Sequence, residues 1–161
     1  MRIMLVVVGR MKDGPERVLA ARYLERAAIG GKPLGLAGPV LSELPESRSR
    51  SADARKREEA RSILSAIPEK AVIVALDERG TTLASEPFAA RLAQWRDENR
   101  PALALVIGGP DGLDDEVRSR ADLVLSFSPM TWPHQIVRIL TAEQLYRATT
   151  ILSGHPYHRG D

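Results

Sequence analysis

Three stretches of the chain carry groups on which chemistry can be built. Gly108-Gly109-Pro110-Asp111-Gly112 frees backbone N–H groups and lets a ligand come close to the main chain. A tight strand-to-helix turn with no ligand accounts for the same residues equally well. No Lys-Ser/Thr pair follows, and the G-x-G-x-x-G spacing is absent, so this is neither a phosphate loop nor a dinucleotide fingerprint. The second stretch, Ser126-Phe127-Ser128-Pro129-Met130-Thr131-Trp132-Pro133-His134, runs from a strand into a helix. Its apolar side chains and main-chain donors suit an adenine ring, which needs a flat apolar slot and a few backbone hydrogen bonds. On position alone, Met130 and Trp132 read as core filler under a loop. The third stretch is the tail, His155-Pro156-Tyr157-His158-Arg159, with two His, a Tyr and an Arg in five residues. Disordered ends lack aromatics, so this one is expected to dock and to bring titratable groups to a site.

Other candidates are weaker. Asp77-Glu78 follows a strand and reads as a pair of turn residues rather than a catalytic or metal pair, with no His nearby. His134, in the first turn of the last helix, reads as structural. Arg138 and Arg147 lie nine residues apart on that helix and so do not share a face. Arg147, nearer the tail, is the better candidate for a phosphate or a substrate carbonyl. A salt bridge to Glu143 at i−4 is its alternative role.

The elements that position these groups follow from short apolar runs alternating with helical patterns. Strands are expected at residues 3–8, weakly within 34–44, and at 71–76, 102–107 and 123–126. Helices are expected at 15–28, 53–67, 85–98, 114–119 and 133–152. Asp13 and Ser85 are the expected caps of the first and third helices, and Gly30-Gly31 the expected stop of the first. Continuous apolar strands mean burial on both faces. The alternation then gives an α/β fold, a parallel sheet with helices on both faces, in a single domain spanning 1–161. Ligands of such sheets bind beyond the carboxyl ends of strands. The junctions at 76–80, 107–112 and 126–133 lie at three such ends and are expected to converge on one pocket.

Composition narrows the classes. Hydrophobic residues make up 43% of 161, and there is no cysteine, which excludes disulfides and thiolate metal sites. The first apolar run is too short to span a membrane, and no cleavage site follows it, so neither a membrane segment nor a signal peptide is expected and a cytoplasmic location is compatible. Net charge is only +2, too little to hold a nucleic acid by charge alone. The charge is uneven, however: residues 48–61 hold six basic residues against three acidic ones. A solvated helix face explains this, and a phosphate-contacting edge is the sharper reading. Residues 45–51, rich in Ser and Arg, read as the most mobile loop.

Taken together, Leu76-Asp77, Val106 to Gly112, Leu125 to His134, Arg138-Ile139-Leu140, Glu143 to Ala148 and His155 to Arg159 resemble the bacterial large-subunit rRNA methyltransferase H family, of the SPOUT class. The resemblance covers the whole length and is densest from Leu76 onward. It implies S-adenosylmethionine as cofactor and N3 of a pseudouridine in 23S rRNA of the assembled ribosome as target. It also implies a C-terminal trefoil knot, an exception to the rule against threading, and a homodimer. The cofactor is then expected at Leu76, Gly108, Phe127, Ser128, Pro129, Met130, Thr131 and Trp132, and no metal is expected. The tail is expected to complete the site near the partner's cofactor. Arg147 or Arg159 would stabilise the anion left when N3 loses its proton. His155 or His158 would assist that loss, and Tyr157 would stack on a base. A non-catalytic ribosome-associated RNA-binding protein is the alternative, and a nucleotide-binding α/β protein of another class a third.

Overall fold

The computed structural model describes residues 1–159, the side chain of Arg159 excepted. Five strands, β1 (Arg2–Val8), β2 (Ala37–Leu44), β3 (Val72–Thr82), β4 (Ala102–Ile107) and β5 (Leu123–Ser126), form one sheet in the order β2-β1-β4-β3-β5. Every pairing is parallel. Five helices, α1 (Pro15–Gly31), α2 (Ala52–Ala66), α3 (Ser85–Asp97), α4 (Asp115–Arg120) and α5 (His134–Ser153), cover it. Alternation along the strands sends side chains to both faces. Leu5, Val7, Val74 and Leu105 pack with Phe88, Leu92 and Trp95 of α3 and with Leu145 of α5. Val6, Val8, Ala75 and Val106 pack with Ala60 and Ile63 of α2 and Val117 of α4. Two apolar layers therefore sandwich the sheet, as the continuous runs require. Among the described residues, no helix is long and apolar enough to cross a membrane.

The sequence misplaces some boundaries for identifiable reasons. Gly30 and Gly31 do not stop α1; they lie inside it. A Cβ on Gly30 would lie 2.7 Å from Oγ1 of Thr149, so glycine serves there to bring α1 close against α5. The helix tightens into a 3-10 turn, Lys32–Leu34, and ends at Gly35 with φ 74°. Asp13 does not cap α1, whose N-cap is Gly14; Asp13 pairs with Arg17 instead. Ser85 does not cap α3 either, because its hydroxyl donates to Oε1 of Gln144 at 2.8 Å.

β3 runs six residues past its expected end. The pairing register shows why this matters: Leu125 of β5 is partnered by Leu76 and also, after a break, by Thr81. A strand residue has two edges, so β3 lies along both edges of β5 and bends around it between residues 77 and 80. Gly80 sits in that bend, where a Cβ would lie 2.6 Å from the carbonyl oxygen of Val124. Only glycine lets the two backbones approach that closely.

Candidate active site

The three junctions do converge. A cavity of about 350 Å³ opens at the carboxyl ends of β3, β4 and β5 and is lined by residues 76–79, 107–113, 125–128 and 130–132, with His134 and Val137 of α5. Seven of the eight residues expected at a cofactor line it; Pro129 lies in the same loop but not on the cavity wall. Leu76, Ile107, Leu113, Leu125, Phe127 and Val137 give the floor an apolar slot, while Asp77, Glu78, Ser128 and Thr131 supply polar groups. A slot of this size and mixed lining fits an adenosyl group, which would be held by these apolar side chains and by the main chain of the loop.

The loop after β5 is folded around Ser128. The Ser126 hydroxyl donates to the Ser128 carbonyl at 2.9 Å. The Ser128 hydroxyl accepts from the Met130 amide at 2.9 Å and from Nε1 of Trp132 at 3.1 Å. These bonds hold the loop open instead of folding its side chains inward. Met130 is 72% exposed and Trp132 41% exposed, so neither is core filler. His134 is exposed on the cavity wall, which makes it a lining residue.

Across the cavity, Asp77 is held by Arg79 at 3.0 Å and by Arg118 at 3.2 Å. Burial alone would raise the Asp77 pKa, but the hydrogen bonds and charge of Arg79, with the charge of Arg118, hold it below the usual carboxylate range. Oε2 of Glu78 accepts from the Thr131 hydroxyl at 3.4 Å, linking the first junction to the third. The glycine turn is tied down as well. Asp111 accepts a two-pronged bond from Arg55 of α2, at 2.6 and 2.9 Å, and this bond holds its carboxylate below the usual range. Behind the turn, Oε2 of the buried Glu59 has no hydrogen-bond partner. Burial raises the Glu59 pKa even though Oε1 accepts from the Ser47 amide at 2.9 Å.

The tail occupies a different place. Pro156–Arg159 forms a 3-10 turn against α5. The Tyr157 ring lies 4.6 Å from that of Tyr146 and 4.9 Å from the Arg147 guanidinium, and its hydroxyl donates to Glu143 at 3.1 Å. Burial first, then hydrogen bonding to Tyr23 and the charge of Glu143, push the Tyr157 pKa up. Nδ1 of His158 lies 3.4 Å from Arg147, and its Nε2 3.4 Å from Glu86 of α3. His155 is exposed, and its Nδ1 accepts from the Tyr157 amide. Arg147 does pair with Glu143, at 2.7 Å, but in a largely buried setting. The structure thus gathers Arg147, Tyr157 and His158 into one cluster, leaves His155 at its rim, and does not place them on the cavity. Arg147 lies thirteen residues beyond His134 on α5, about 20 Å along the axis. The side chain of Arg159 lies outside the described residues.

Two buried ion pairs escape a reading of the sequence. Arg138 is 6% exposed. It donates to Glu43 at 2.9 Å and to the carbonyls of Val8 and Gly9, so α5 is pinned to the ends of β1 and β2. Burial would raise the Glu43 pKa, but a bond from the Met11 amide and the charge of Arg138 bring it below the usual range. Arg118 reaches Asp77 from α4. The partners are 95 and 41 residues apart, and no local pattern signals them.

A family profile described as "Predicted SPOUT methyltransferase" matches residues 1–158. The chain is 55% identical over 159 residues to "Ribosomal RNA large subunit methyltransferase H" of Brucella anthropi, and 54% identical over 159 residues to the protein of that name from Rhodopseudomonas palustris; each match covers 99% of both chains. Among solved structures, a probable methylase family protein from Haemophilus influenzae Rd KW20 aligns with TM-score 0.52 and 16% identity, over 97% of this chain and 69% of that one. A probable methyltransferase from Bordetella pertussis aligns with TM-score 0.50 and 16% identity, over 91% and 95%. At these identities the two structures speak for the fold alone.

Proposed function

The chain belongs to the SPOUT methyltransferase family, and from that premise we propose that it methylates N3 of a pseudouridine in 23S rRNA on the assembled ribosome, with S-adenosylmethionine as the methyl donor. The observation that carries this is the convergence of three strand-end junctions on one apolar-floored cavity, in a chain that matches rRNA methyltransferases over nearly its whole length. When bound, the cofactor supplies a methyl group on a sulfonium centre. The chain's own work is to orient, to exclude water and to manage a proton. Leu76, Gly108 and residues 127–132 hold the donor, with the Asp77–Arg118 and Asp111–Arg55 pairs fixing the walls behind them. N3 of the base becomes a nucleophile only once its proton leaves. His155 or His158 takes that proton, and Arg147 or Arg159 stabilises the charge left on the base. Tyr157 offers the base a ring that Tyr146 and Arg147 already hold in place.

Within one chain the tail cluster and the cavity lie apart, so in this reading the protein acts as a homodimer in which one protomer's tail closes its partner's cavity. The bend of β3 around β5 supports the C-terminal trefoil knot as part of the same reading, and a cytoplasmic location follows from a ribosomal substrate. Mass measurement of the rRNA fragment tests the reaction. Ribosomes carrying pseudouridine should gain one methyl group, and ribosomes lacking it should gain none. A chain that binds ribosomes but shows no calorimetric binding of S-adenosylmethionine would be a non-catalytic ribosome-associated protein instead.

A further inference from the structure

The segment between β2 and α2 is held far more firmly than a polar Ser/Arg loop needs to be. The Ser47 amide donates to the buried Glu59 at 2.9 Å. The Ser47 and Ser49 hydroxyls both donate to Glu58, the latter at 2.6 Å. Arg55 donates to the carbonyls of Ser49 and Arg50 at 3.0 and 3.2 Å while its other edge holds Asp111. Fixing the loop this way leaves a buried carboxylate oxygen of Glu59 without a partner. The result is an ordered platform running from α2 to the glycine turn of the cavity.

What the platform presents is positive charge. Arg48, Arg50, Arg57 and Arg61 are all exposed, and Arg57 and Arg61 are one helical turn apart. Of the acids nearby, Glu58 accepts from the two serines and keeps its charge beside Arg61, and Asp53 pairs with Lys56 at 3.3 Å, which leaves Arg48, Arg50 and Arg57 facing outward with Arg61 at their end. Glu46 stands over Gly9.

We propose that these four arginines form a docking edge for the sugar-phosphate backbone of rRNA, beside the cavity on the same protomer. The proposal rests on the function given above and assigns the substrate contact that a net charge of +2 does not otherwise supply. It also divides the basic segment. Arg55 and Lys56 are struts with carboxylate partners, whereas the four outward arginines meet phosphate. Preordering the loop removes the cost of fixing it on contact.

The test uses the whole protein and intact ribosomes. In the Arg48→Ala/Arg50→Ala/Arg57→Ala/Arg61→Ala variant, KM for ribosomes should rise roughly tenfold or more. The dependence of log affinity on log salt should become shallower by roughly 3 for four lost phosphate contacts. Turnover at saturation and calorimetric binding of S-adenosylmethionine should stay at the wild-type level, which also shows that the variant folds. An unchanged KM and salt slope overturn the proposal. The chain has no cysteine, so Arg57→Cys carrying a photoreactive label reports what lies opposite the edge. Crosslinks to rRNA support the proposal, and crosslinks confined to ribosomal protein overturn it. If the wild type itself transfers no methyl group, the functional reading fails, and that control separates the two failures.

Discussion

The cavity and the tail are built on different principles. The cavity walls come from three junctions of one sheet, and each wall is fixed by contacts within the chain: Asp77 by Arg79 and Arg118, Asp111 by Arg55, the third loop by Ser126 and Ser128. The described part of the tail cluster, by contrast, lies along the far half of α5, and none of its residues lines the cavity. Its aromatic and basic groups find partners on α5 and, through Glu86 and Tyr23, on α3 and α1. On the proposed function, the cavity that would hold the donor and the cluster that would manage the target's proton therefore stand apart among the described residues of one protomer. Donor binding and chemistry should then be separable by mutation.

The largest effect is expected at Gly80. A Cβ there meets the β5 backbone at 2.6 Å, so Gly80→Ala should push β3 off β5, costing about 3 kcal/mol of stability. Donor binding should be lost with it. Thermal unfolding and calorimetry read both, and a wild-type melting point would mean that the bend is not tight. Next comes the tail. His155→Ala combined with His158→Ala should lower turnover on the order of 100-fold while donor affinity stays within about twofold. A parallel loss of donor affinity would mean that the tail helps to hold the donor and that binding and chemistry are not separable.

Smaller effects are expected at Tyr157 and Glu59. Tyr157→Phe removes the bond to Glu143 but keeps the ring, and should weaken tail docking by about 1 kcal/mol. That corresponds to roughly fivefold faster amide exchange at Tyr157 and His158, with exchange in β3–β5 unchanged. The smallest effect lies behind the glycine turn. Burial raises the Glu59 pKa in the folded protein, so its contribution to stability is fully present below the unfolded value, about 4.3, and is lost as pH rises through the folded value. Glu59→Gln should flatten the decline in urea midpoint over that window. A decline identical to the wild type would assign it to other groups.

The cavity was legible in the sequence because its logic is local. Continuous apolar runs fix which strands are buried on both faces, and the residues just past their ends must then face a shared crevice. What was not legible depends on contacts between distant residues. Asp77-Glu78-Arg79-Gly80 breaks the apolar run and reads as a turn, yet the strand continues because β5 passes within its bend. Gly30-Gly31 reads as a helix stop, yet it serves packing against Thr149. The 45–51 loop reads as mobile because its anchors, Glu58, Glu59 and Arg55, lie on the following helix and show no pattern of their own. Exposure of Met130 and Trp132 depends on one serine in the same loop, which position alone does not reveal.

Complementation between two inactive variants tests the division between cavity and tail most directly. Thr131→Trp fills the cavity mouth and should abolish donor binding, and the His155→Ala/His158→Ala variant should keep it. Neither alone should methylate ribosomes appreciably. Mixed and allowed to exchange subunits, they should recover about a quarter of wild-type activity. Half of the dimers are then mixed, and each mixed dimer has one intact cavity facing one intact tail. A mixture no more active than the average of its two components would contradict the account.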